Sequence, residues 1–180
     1  MSANRSKIIV SKLEAAKRQL RTAIRLWFAD GDPIAIHTLA FAAYEIIHVV
    51  SKKRNPHRPT LIFDSDMIKD KYRPDWNKSI KRTADFFKHA NRDPDGSIEF
   101  VPETTIIFLM ACLSGLRTMK EAPDREGFAF FYWLCFHKPE WIKLAFRKTL
   151  EDRISVKGIA EIKSVKKTDF LKIFDLALKS

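Results

Sequence analysis

Two sets of side chains carry residue types that do chemistry. The first lies in RTADFFKHANRDP, residues 82–94, where Arg82 and His89 stand seven positions apart in a stretch read as helix. At 3.6 residues per turn the two fall within about 20° of one face and roughly 10 Å apart along the axis, too far to touch. Two antiparallel copies of such a helix, related by a two-fold axis, would bring both pairs beside one phosphate. Imidazole then moves a proton near neutral pH while arginine stabilises the pentavalent oxyanion. The competing reading is structural: Arg82, Lys88 and Arg92 are cations near a helix end, where the dipole favours them, and His89 caps that end.

The second set is His37, Tyr44, Glu45 and His48, all within one apolar helix and candidates to line a small-molecule pocket. Glu45-Ile-Ile-His48 has the i, i+3 spacing of di-metal carboxylate bundles. Such a centre needs a second Glu-x-x-His and two more inward carboxylates, and the chain has no second Glu-x-x-His. No metal is expected here, and histidines satisfied within a core are the plainer reading.

Other chemistries lack their signatures. There is no Gly-x-Ser-x-Gly elbow, no glycine-rich phosphate loop and no paired metal-ligand cysteines. The two cysteines, Cys112 and Cys135, sit in apolar runs and read as reduced, buried thiols. No diffusible cofactor is expected. MSANRSKIIV holds too short an apolar run for a secretory leader, and no stretch reads as a membrane span, so the expectation is a cytoplasmic protein away from membranes.

Charge is the unusual quantity, with 33 basic against 22 acidic residues for a net +11. By blocks it runs +5 over residues 1–30, −2 over 31–50, +7 over 51–92, −4 over 93–137 and +5 over 138–180. A basic face of this size can meet nucleic acid by counterion release, or simply stay solvated. Lys52, Lys53, Arg54, Arg58, Lys88 and Arg92 are the candidate phosphate contacts.

The elements that must position these groups are helical. With 46% hydrophobic residues in 180 and only 5 Gly, one core built of long helices is expected. Ser11-Lys-Leu-Glu14 reads as a capping box opening a first helix to about Ala29. Asp30-Gly31-Asp32-Pro33 ends it, with Gly31 suited to the C′ position, and begins an antiparallel central helix from Pro33 to about Val50. Asn55-Pro and Arg58-Pro mark residues 51–63 as an exposed basic loop. A short helix near 65–71 and a third long helix over 74–90 follow, then a turn at 93–96 and an extended segment at 97–101. Helices over 103–119, 125–137 and 139–152 complete a bundle, predicted as an all-α, single-domain fold of about five main helices over residues 1–153. Residues 154–180 read as a basic tail with one short helix near its end.

Helix-turn-helix KLEAAKRQLRTAIRLWFADGDPIAIHTLAFAAYEIIHVV together with RTADFFKHANRDPDG resembles the HEPN superfamily of small all-helical domains, and within it a bacterial subgroup of uncharacterised proteins. In that superfamily an Arg and a His, four to six residues between them on one helix, serve metal-independent RNA cleavage. Ala84 and Asp85 stand where the subgroup carries Arg and Asn, leaving Arg82 and His89 at the loosest spacing. The resemblance implies a helical bundle, a homodimer through the motif helix, and RNA as substrate or ligand. The rival expectation is a non-catalytic interaction or regulatory module with a protein partner.

Overall fold

A computed structural model describes residues 7–91, 93–152 and 154–177. The fold is all-α, with eight α-helices and no strand among the described residues. The helices are α1 (Lys12–Phe28), α2 (Pro33–Arg54), α3 (Arg73–Lys88), α4 (Thr105–Thr118), α5 (Arg125–His137), α6 (Leu144–Glu151), α7 (Val156–Ser164) and α8 (Lys167–Ala177).

The first two helices begin as their sequence dictates. Ser11 Oγ accepts from the Glu14 amide at 3.1 Å, but the Glu14 carboxylate turns to Arg18 at 2.8 Å instead of reaching back to the cap. Asp32 accepts from the Ala35 amide at 2.8 Å, with Pro33 in the first turn. Between them the α1 end is closed by Asp30, not Gly31. Asp30 takes the left-handed φ of 51°, and the Gly31 amide bonds back to the Leu26 carbonyl at 2.8 Å. Aspartate tolerates that region through its short polar side chain, and here it also pairs with Lys167 of α8.

α2 is the central element. Ala40, Phe41, Ala43, Tyr44 and Ile47 are wholly buried, against Ala16, Leu20, Ala23 and Ile24 of α1 on one side and Leu109 and Cys112 of α4 on another. Gly115 of α4 lets the two backbones close in, since a Cβ there would stand 2.4 Å from Ile47 Cγ2. α2 runs four residues beyond Val50 and stops at Asn55, the residue the following proline constrains. At 22 residues it is, by length and composition, long enough to cross a membrane, although half of its apolar window is buried in the bundle.

Several local expectations are revised. A 3₁₀ turn at 70–72 stands in place of the short helix expected near 65–71, another spans 62–64 within the expected loop, and α3 ends at Lys88. Residues 97–101 are irregular chain anchored by Phe100, whose ring meets His37 and Phe87 edge-on at 5.0 and 5.2 Å. Pro139–Trp141 is a 3₁₀ turn, so the sixth helix starts only at Leu144. The C-terminal stretch holds two helices where one was expected. Phe170 of α8 is buried, stacking on Phe28 of α1 with centroids 5.8 Å apart. Cys112 and Cys135 are free and buried, and burial pushes the Cys135 thiol up to about 11 and that of Cys112 higher still.

Candidate functional site

The polar residues of α2 divide into three surroundings. His37 is 2% exposed, its Nδ1 lies 2.9 Å from Thr105 Oγ1, and Phe87, Phe100 and Phe108 present their edges around it. Its Nε2 is buried with no partner among the described residues. Burial pushes this imidazole down to about 4, so it is neutral at physiological pH.

Two and three turns further on, Tyr44 and His48 join a buried polar network. Tyr44 Oη accepts from the Phe63 amide at 3.0 Å and lies 3.5 Å from His48 Nδ1. Arg58 Nη2 approaches the same Nδ1 at 3.3 Å and donates to Asp64 Oδ2 at 2.9 Å. A guanidinium only donates, so Nδ1 is the bare nitrogen and the ring hydrogen sits on Nε2. The Arg58 side chain is 2% exposed, and Asp64 is further held by the Leu61 amide at 2.8 Å. Burial would raise the Asp64 carboxyl, but the Leu61 amide and the Arg58 guanidinium outweigh it and hold it below the carboxylate range. Burial lowers His48, with Arg58, Lys52 and Lys81 adding to that and Asp64 opposing it. The network clips residues 58–64 onto α2.

Glu45 turns to a different face and meets α3, with Lys81 and Lys88 each at 3.7 Å. Of the four predicted pocket residues the structure therefore brings together Tyr44 and His48, and sets His37 and Glu45 apart from them.

Arg82 lies on the exposed side of α3, with no hydrogen bond or ion pair among the described residues. His89 is exposed and forms the C-cap, at φ −131° and ψ 105°, its amide bonded to the Asp85 carbonyl at 3.0 Å. The seven-residue face argument thus ends one residue short, because His89 has left helical geometry. The predicted phosphate contacts also separate. Lys52, Lys53 and Arg54 form the last turn of α2, where the helix dipole favours cations. Lys52 lies 3.8 Å from Asp64, Arg54 bonds Glu121 at 3.1 Å, and Lys53 stays exposed. Arg58 is in the interior, and Lys88 meets Glu45 and covers the Phe41 ring at 5.2 Å. Arg92 lies outside the described residues.

Sequence reasoning missed where the cations of α1 go. Lys17, Arg21 and Arg25 recur every four residues beside the apolar stripe and meet Glu121 at 2.6 Å, Asp124 at 2.8 Å and Glu126 at 2.7 Å. Burial alone would raise the Glu126 carboxyl, and its bonds to Arg25, its own backbone and Arg125 overcome that to hold it low. The matching basic and acidic spacings were the available signal. The seam answers the positive first block with the carboxylates of residues 121–126, and leaves Lys78 and Arg82, one turn apart on the exposed side of α3, without an ion pair among the described residues.

No family model, curated protein or solved structure matches the chain.

Proposed function

We propose that this is a HEPN-like helical protein that binds single-stranded RNA through the outer face of α3, without cleaving it. One observation carries the reading. Lys78 and Arg82, four residues apart on α3, are exposed and free of ion pairs among the described residues, whereas α1's cations at 17, 21 and 25 are each bound to a carboxylate. Two such cations one turn apart, about 6 Å along the axis, suit successive backbone phosphates. Binding is favoured over cleavage because a general base needs a group that orients it, and among the described residues only the helix backbone holds His89, through its amide.

The test is incubation of the purified protein with mixed-sequence RNA in chelator, at low and moderate salt, scored for retention and for 2′,3′-cyclic phosphate ends. The expected result is intact RNA whose binding weakens with salt, with K78E and R82E each weakening it and lowering the salt slope by about 1. Cyclic ends that vanish in H89A would replace this reading with a nuclease assembled across a dimer. RNA neither bound nor cut would overturn it.

A further inference from the structure

A second site lies away from α3. α4 leans on α2, while α5 leans on α1 and α8. The two meet where Leu113 crosses Gly127, at which a Cβ would stand 2.9 Å from Leu113 Cδ2. Between them opens a cleft of about 850 Å³, lined also by Trp141 and Ile142. Met110, Leu113, Phe128, Phe131 and Leu134 supply an apolar floor and walls. Phe128 and Trp141 remain 44% and 43% exposed, a large apolar area for a chain this charged. The volume falls within the range of small-ligand sites, about 300 to 1,000 Å³.

The cleft's charge is one-sided. Glu121, its acidic residue, is bound by Lys17 at 2.6 Å and Arg54 at 3.1 Å. Lys120 and Lys143 line the same cleft and make no ion pair among the described residues. Lys120 is also conformationally out of place. It holds φ 58° just past the end of α4, with its amide bonded to Arg117 at 3.0 Å and the next amide to Leu116 at 3.0 Å. Glycine takes that left-handed position without strain and lysine does not. The strained residue is thus one that brings a cation to the edge of an apolar cleft.

We propose that this cleft binds a long-chain carboxylate, its alkyl chain against Phe128, Phe131 and Trp141 and its head group within reach of the rim lysines. An apolar floor selects the chain, and a rim with two unanswered cations selects the anion over a neutral or cationic head.

The probe is dodecanoate at submicellar concentration, titrated calorimetrically into the full chain beside octanoate, decanoate, dodecanol and dodecyltrimethylammonium. One dodecanoate per chain is expected, tightening about fourfold for each added methylene, the equivalent of about 0.8 kcal/mol. The alcohol and the ammonium should each bind at least tenfold more weakly. K120G relieves backbone strain, so it folds, and combined with K143A it should bring dodecanoate down to the affinity of dodecanol. F128E, at an exposed position, should abolish binding of the whole series. Equal affinity for dodecanoate and dodecyltrimethylammonium, or no dependence on chain length, overturns the proposal. So does a dimer that F128E splits while dodecanoate binds neither form, which would give the cleft to a second copy of the chain.

Discussion

The chain holds two arginine–histidine pairs whose surroundings are opposite. Arg58 and His48 come from a loop and a helix, lie 3.3 Å apart and are buried against Tyr44 and the half-buried Asp64. Arg82 and His89 lie on α3 and its cap, and both are exposed. The inner histidine has its tautomer set by the Arg58 guanidinium at Nδ1. The outer pair makes no side-chain bond among the described residues, only the backbone bonds of the helix and its cap. The same two residue types thus hold a fold together in one place and offer charge to a ligand in the other, and it is the partners, not the spacing, that decide which.

The sharpest way to break this comparison is to remove Arg58. R58A leaves the Asp64 carboxylate without its main cation and should cost about 3 to 5 kcal/mol in urea unfolding, as loss of one partner of a buried pair does. A cost below 1 kcal/mol would make the inner pair no more structural than the outer one. Acid should act nearly as strongly. His37 ionises near 4 in the fold and near 6.5 once unfolded, so below pH 6.5 the unfolded chain takes a proton the folded chain refuses. Its contribution is complete above pH 6.5 and shrinks as pH falls towards 4, by up to about 3 kcal/mol. Unfolding free energy measured against pH should show that slope in the native chain and a shallower one in H37F. G115A drives a methyl into Ile47 across the α2–α4 contact and should cost about 2 kcal/mol in the same assay. The smallest effect belongs to the outer pair: R82A should alter stability by no more than about 0.5 kcal/mol while weakening RNA retention.

What could be read from the sequence was what is local. The caps at Ser11 and Asp32, the proline at the start of α2 and the helix pair they open depend on residues within four positions of each other. In the 51–63 segment, exposed at residues 52–54, 56–57 and 59–60, it is Arg58 that was misplaced, because Asn-Pro and Arg-Pro report backbone conformation and say nothing of burial. Arg58 goes inside because Asp64, six residues on, and His48, ten residues back, are waiting there. Helical phase groups His37 with His48, but phase cannot show that Phe87, Phe100 and Phe108 enclose one while Arg58 meets the other. The cleft between α4 and α5 was out of reach for a related reason. Periodicity marks both helices as apolar nearly all round, and only their packing shows which apolar face stays uncovered.

The ion-pair seam between α1 and residues 121–126 also has a meaning in time. Its three bonds join residues 104, 103 and 101 positions apart. A ribosome adding about 5 to 20 residues per second therefore takes roughly 5 to 20 seconds to deliver the carboxylates after α1 has emerged. Through that interval the nascent chain carries an apolar stripe flanked by bare cations, on a helix that can pair with α2 but cannot yet be sealed. The seam closes only when the start of α5 arrives, and it serves as the clasp that locks the first helix pair while α6, α7 and α8 are still to come.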